Sequence, residues 1–146
     1  MDKTDIALIE ILQKDARFTS DELAKQLHVS SATIRRRTQK LLQDDVMRIV
    51  AITDPKKIGL STVAGIHIEF NLKNVDKGAE ELARYKNVKS VSLTTGRFNC
   101  MALAVFASTD EFQNFMRTVV SNLEGLAAVE THIFLEYKKG KFIHGD

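Results

Sequence analysis

The stretch Thr19-Ser20-Asp21-Glu22-Leu23-Ala24-Lys25-Gln26-Leu27-His28-Val29-Ser30-Ser31-Ala32-Thr33-Ile34-Arg35-Arg36-Arg37-Thr38-Gln39-Lys40-Leu41-Leu42-Gln43 decides how this chain is read. Thr19 and Glu22 have capping-box spacing, in which a hydroxyl and a carboxylate three residues apart satisfy free backbone N–H groups. A helix is therefore predicted to start near Ser20. Leu23, Ala24 and Leu27 form its inner face, and it ends near His28-Val29. Ser30 then reads as the N-cap of a further helix, from Ser31 to about Asp44. Ile34, Thr38, Leu41 and Leu42 recur along it at helical spacing and are expected to face inward. At ~100° per residue, Ala32, Thr33, Arg35, Arg36, Gln39, Lys40 and Gln43 point away from Ile34. A short helix, a tight turn and a second helix with a basic outer face are the pattern of a helix-turn-helix.

The charge distribution sharpens this reading. The net charge is only +2, which does not by itself announce a polyanionic partner. From 23 to 43, however, the chain carries Lys25, Arg35, Arg36, Arg37 and Lys40 and no Asp or Glu, with Asp21 and Glu22 just before and Asp44 and Asp45 just after. A basic run alone is usually a solvated helix face. On the second helix of a helix-turn-helix it becomes a candidate recognition surface for double-stranded DNA.

Outward from this stretch, Ile6, Leu8, Ile9 and Leu12 give an apolar helical stripe over residues 4–14. Residues 47–54 read as a strand and 55–59 as a connection, which places the domain boundary there: 1–54 for DNA binding, 55–146 for the rest. Residues 61–70 alternate, with Thr62, Ala64, Ile66, Ile68 and Phe70 on one face and Val63, Gly65, His67 and Glu69 on the other. Val75, Ala79 and Leu82 mark a helix that Asn74 can cap. Residues 88–95 form a short strand with Val91 and Leu93 inward. After the turn Gly96-Arg97-Phe98-Asn99, residues 100–107 are apolar almost throughout, as in a central strand covered on both faces. Ser108 and Glu111 have capping-box spacing before an amphipathic helix carrying Phe112, Phe115, Met116, Val119, Val120 and Leu123. Residues 129–137 alternate again, and 138–146 are a polar tail. The order β-α-β-β-α-β is ferredoxin-like, with the first and third strands central. Two helices cover one face of such a sheet, so a second subunit is expected on the other, giving at least a dimer.

Hydrophobic residues make up 44% and charged residues 27%, the balance of a globular protein. No apolar run approaches the ~20 residues of a membrane span, and the N-terminus does not read as a secretory signal. The single cysteine, Cys100, excludes an intramolecular disulfide framework and fits a reducing, cytoplasmic setting.

Several motifs together resemble the leucine-responsive/AsnC ("feast/famine") family of regulators. They are Asp2-x-x-Asp5-x-x-x-Ile9-x-x-Leu12-Gln13-x-Asp15-Ala16-Arg17, Glu22-Leu23-Ala24, Val29-Ser30-x-x-x-Ile34-x-x-Arg37-x-x-Lys40-Leu41, Asp54-Pro55-x-x-Ile58-Gly59 and Thr95-Gly96-x-Phe98-Asn99. The resemblance spans nearly the whole chain. It implies an α+β protein: an N-terminal winged helix-turn-helix followed by a ferredoxin-like βαββαβ sensing and oligomerisation domain. It also implies dimers that build tetramers or octamers, binding to pseudo-palindromic operators, and modulation by an amino acid. Two positions depart from the family pattern. Asp45 stands where a glycine usually follows the recognition helix; Asp tolerates a left-handed backbone better than most residues. In the effector turn, which resembles Gly-Asp-Tyr-Asp in the family, both carboxylates are replaced. Arg97 cannot pair with an ammonium group but can clamp a carboxylate or another small anion.

The candidate DNA-binding residues are therefore Lys25, Ser30, Ser31, Ala32, Thr33, Arg35, Arg36, Arg37 and Lys40. Lys25 and Lys40 are expected at phosphates, and Arg37 in a structural or phosphate-positioning role as readily as at a base. Thr95, Gly96, Arg97, Phe98 and Asn99 either line an effector site or form a plain turn that needs Gly96 for its backbone. His67 and His132, with Glu69, Glu130 and Glu136 on the same strand parity, have ligand chemistry for zinc, but hydrogen bonding at a packed face suffices to account for them, and no metal or cofactor is expected. The competing class is an enzyme, such as the haem-biosynthesis (tetrapyrrole) decarboxylases that look like this family, or an enzyme's regulatory module. No nucleophile–base pair, Gly-rich phosphate loop or metal spacing supports it, and no catalytic residue is expected.

Overall fold

A computed structural model describes residues 1–139. The chain divides into two compact units, Met1–Val50 and the remainder from Ala51. The first unit holds three helices: α1 (Lys3–Lys14), α2 (Ser20–Leu27) and α3 (Ser31–Gln43). Each start is capped by a side chain. Asp2 accepts from the N–H groups of Thr4 and Asp5, Thr19 from that of Glu22, and Ser30 from that of Thr33. The turn between α2 and α3 is tight because His28 takes a left-handed conformation at φ 53°. Leu8, Leu23, Ala24, Ile34 and Leu41 are buried in one small core. Full burial of a Leu or Ile side chain contributes ~1.5–3 kcal/mol, so these few residues hold the unit together. Leu42, expected inward, is 39% exposed. It lies one residue past Leu41, and the core is too narrow to reach around to it.

The expected strand over 47–54 does not form. Only Thr53 is a bridge residue, and Met1–Val50 contains no strand that would serve as a wing. The β-branched residues there have strand propensity, but among them only Thr53 takes on strand-type pairing. Ile49, Val50 and Ile52 are left about half exposed.

The second unit opens with a short 3-10 helix, Pro55–Ile58, and continues as β1 (Thr62–Phe70), α4 (Val75–Ala83), β2 (Val88–Leu93), β3 (Cys100–Phe106), α5 (Thr109–Thr118) and β4 (Leu126–Ile133). The four strands form an antiparallel sheet in the order β2-β3-β1-β4, with β1 and β3 central as expected. Ala64, Ile66, Ile68 and Phe70 of β1, and Cys100, Ala102, Ala104 and Phe106 of β3, pack against Leu82, Phe112 and Phe115 of the helices. A side chain at Gly78 would run into the Phe70 ring, so this glycine lets α4 lie close to the sheet. Among the described residues no helix is long and apolar enough to cross a membrane.

Several local expectations need correcting. Asn74 does not cap α4 with its side chain; its amide donates to Glu124 Oε1 at 3.2 Å instead. Ser108 does cap α5, but that helix ends at Thr118 and a 3-10 turn, Val120–Asn122, carries on the apolar pattern. β2 stops at Leu93, which is 51% exposed because β2 is an edge strand. β4 begins earlier than expected and ends at Ile133, and most of its side chains are exposed, since it forms the opposite edge. β3 is only partly covered on its second face: Val105 is buried there, but Met101 is 38% exposed. The polar tail read from 138 lies, beyond residue 139, outside the described residues.

Candidate functional site

The outer face of α3 is exposed at Ala32, Arg35, Arg36, Gln39, Lys40 and Gln43, as helical spacing requires. Arg35, Arg36 and Lys40 have no carboxylate within ion-pair distance among the described residues. Lys25, in the last turn of α2, is exposed as well. These four cations form the basic surface that the acid-free stretch foretold.

The remaining candidates are already engaged within the unit. Ser30 Oγ accepts the Thr33 N–H at 3.1 Å and lies 2.8 Å from Thr33 Oγ1, so both side chains belong to the cap. The Ser31 hydroxyl donates to Asp21 of α2, tying together the starts of α2 and α3. Arg37 turns inward. Its Nη1 donates to Asp2 Oδ2 at 2.8 Å and to Asp5 Oδ1 at 2.7 Å, and only 24% of its side chain is exposed. The carboxyls of Asp2 and Asp5 are both held below their ordinary range, first by each other's backbone N–H and then by Arg37. Sequence reasoning assigned no role to Asp2, Asp5 or Asp21. A visible signal was available for the first two: acidic residues three apart before an apolar stripe are a helix start.

In the second unit, Thr95, Gly96 and Arg97 form an exposed turn, with Gly96 at φ 100°. Thr94 closes it by donating to the Phe98 carbonyl at 2.7 Å. Asn99 is not free to meet a ligand. Its Oδ1 accepts the Phe70 N–H at 2.9 Å and its Nδ2 donates to the Phe70 carbonyl at 2.8 Å. This amide stands in for a strand partner beyond the last β1–β3 pair, Ile68 with Cys100. Arg97 pairs with Glu69 Oε2 at 3.0 Å and lies 5.2 Å from the Phe98 ring centroid. An exposed pair of this kind is worth ~0.2–1 kcal/mol, so an incoming anion can displace it.

The helix-free sheet face presents Gly65, His67, Met101, Leu103, Ser90 and Ser92, which line a shallow cavity of about 390 Å³ together with Phe134. The His67 and His132 rings meet edge to face at 5.0 Å, and His132 Nε2 lies 3.1 Å from Glu130 Oε1. No group of three metal-ligating side chains occurs among the described residues. Cys100 is fully buried, and burial raises its thiol pKa, which makes it an inert part of the core.

A helix-turn-helix carrying an acid-free basic helix, followed by a βαββαβ sheet unit, defines a class of regulator, and the comparisons agree. Residues 1–42 match the AsnC-type helix-turn-helix domain, and residues 63–141 match the Lrp/AsnC ligand binding domain. An HTH-type transcriptional regulator of Pyrococcus horikoshii is 30% identical over 143 residues, covering 97% of this chain and 96% of the relative. The HTH-type transcriptional regulator FL11 of Pyrococcus furiosus is 28% identical over 140 residues, covering 95% and 92%. The solved structure of Escherichia coli AsnC superposes with a TM-score of 0.86 at 26% identity, covering 96% of this chain and 95% of that one. A Neisseria meningitidis transcriptional regulator solved with L-Met shares the fold, with a TM-score of 0.86 at 22% identity over 96% of this chain and 93% of its own.

This chain belongs to the Lrp/AsnC family of helix-turn-helix transcriptional regulators, with the family's DNA-binding and ligand-binding domains. The alternative of a tetrapyrrole decarboxylase finds no support among these relatives.

Proposed function

We propose that α3 enters the DNA major groove and that Arg35 and Arg36, with Ala32 near the helix start, face the base edges. Lys40 and Lys25 meet phosphates. The observation that carries this reading is the set of exposed, uncompensated cations on one face of a capped helix. An Arg aimed at guanine O6 and N7 discriminates by ~1–3 kcal/mol, whereas a Lys at phosphate adds affinity without specificity. Ser30, Ser31 and Thr33 shape the helix start and act at DNA through backbone N–H groups and position. The protein regulates transcription rather than catalysing a reaction, in the cytoplasm, as a homodimer or larger assembly on a pseudo-palindromic operator. The DNA-binding domain spans 1–54 and the sensing and oligomerisation domain 55–146. The turn 95–99 receives a small effector, with Arg97 taking its carboxylate or another anionic group.

Selecting sites from random DNA with the full chain tests the central claim. A pseudo-palindromic consensus is expected, and Arg36→Ala should weaken binding to it about tenfold and relax one position in each half-site. Unchanged affinity and preference across a salt series would refute the role of Arg36; failure of the wild-type chain to enrich any site would refute the reading as a whole.

A further inference from the structure

Asp2 and Asp5 share one design. Asp2 spends Oδ1 on the N–H groups of Thr4 and Asp5 at 2.9 and 3.0 Å, and Oδ2 on Arg37. Asp5 spends Oδ2 on the N–H of Asp2 at 2.8 Å, and Oδ1 on Arg37. Each carboxylate therefore builds the start of α1 with one oxygen and grips α3 with the other. Both grips converge on a single guanidinium nitrogen. On α3, Arg37 lies between the buried Ile34 and Leu41 and directly follows the exposed Arg36.

The surroundings give this lock its weight. The seam beside it opens to solvent as a cleft of about 410 Å³ lined by Asp2, Asp5, Arg36, Arg37, Lys40 and Leu41, among others. Apolar contact is non-directional, so Ile34 and Leu41 do not by themselves fix the roll of α3, and the Ser31–Asp21 bond holds only its first turn. Hydrogen bonds are directional, and two of them on one nitrogen define a rotation. A roll of α3 swings Arg36 and Lys40, which sit on its outer face, away from their partners in the groove.

We infer that Asp2 and Asp5 are positioning residues for DNA recognition: through Arg37 they set the rotation of α3, and Arg37 itself makes no phosphate contact. This rests on the reading of α3 as the recognition helix. It also withdraws one cation from the DNA-facing count.

The test uses the full chain and its selected operator, across a salt series, with the variants Asp2→Asn/Asp5→Asn, Arg37→Gln and Arg37→Lys. The double Asn variant and Arg37→Gln are expected to lose about tenfold in operator affinity relative to random DNA. The slope of log affinity against log salt should stay unchanged, because no phosphate contact is lost. Arg37→Lys, which keeps a charge for the carboxylates, should recover part of the loss. If Arg37→Gln instead flattens the slope by about 0.9, Arg37 is a phosphate contact and the inference fails. It fails equally if the variants melt at lower temperature but bind, once folded, with wild-type preference, since the lock would then be a bolt for stability alone. Should the double variant not fold at the assay temperature, Asp2→Asn, which leaves the Asp5 grip in place, is judged by the same two outcomes. A wild-type chain without any preferred site would sink the functional reading instead, so the two failures are distinct.

Discussion

At the scale of single residues, the turn 95–99 shows how a side chain's type and its availability separate. The residue types at Arg97 and Asn99 were readable as anion-clamping and polar. The structure divides them: Asn99 is consumed by the Phe70 backbone, while Arg97 is exposed and held by Glu69 and the Phe98 ring. Effector binding in this turn should therefore depend on Arg97. Calorimetric titration with amino acids, L-methionine among them, and with small anions should find a ligand whose affinity falls ~10–100-fold in Arg97→Ala, the usual cost of a lost charge-assisted hydrogen bond. No heat from any of them and no change in assembly would remove the turn from the account. Asp45 behaves differently. Its backbone sits at φ 53°, the left-handed region that the family's glycine would occupy, and this was legible because few other side chains accept that conformation.

At the scale of elements, the start of α3 matters most, since in the proposed binding mode its first turn carries the residues nearest the bases. The cap is one hydroxyl, Ser30 Oγ, on the Thr33 N–H. Ser30→Ala should destabilise the chain by ~1 kcal/mol in urea unfolding, and Ser30→Asp should restore it, the carboxylate also favouring the helix N-terminus. If Ser30→Ala unfolds like wild type, the cap is not what orders this turn. The caps at Asp2, Thr19, Ser30 and Ser108 were all within reach of sequence spacing, because capping is a contact between residues three apart. The cap assigned to Asn74 was not: Glu124, fifty positions away, takes its amide. The strand expected over 47–54 fails for the same reason. Propensity is local, but pairing is not.

At the scale of the whole molecule, the sheet has one face covered by helices and one only partly covered, where Val63 and Val105 are buried but Met101 is exposed. His67, Met101 and Leu103 line the shallow cavity on that second side, and a second copy of the chain is the proposed cover. A charge placed at the centre of such a face costs about 3 kcal/mol when buried without a partner, roughly a hundredfold in the dissociation constant. Met101→Glu is therefore expected to shift sedimentation from dimer or larger towards monomer, with the far-ultraviolet spectrum unchanged; an unaltered assembly would place the interface elsewhere. The sequence by itself determined the helix-turn-helix, the βαββαβ order, the central places of β1 and β3, and the basic outer face of α3. All of these follow from periodicity, capping and charge, which act over a few residues. Only the tertiary structure decided which basic residues are free. Helical spacing already set Arg37 nearer the inner face than its two neighbours, but not its partners: folding brings Asp2 and Asp5 against it from more than thirty positions away. It likewise took Asn99 for the sheet and left Met101 uncovered. Which side chain finds a partner depends on groups that are distant along the chain and adjacent only after it has folded.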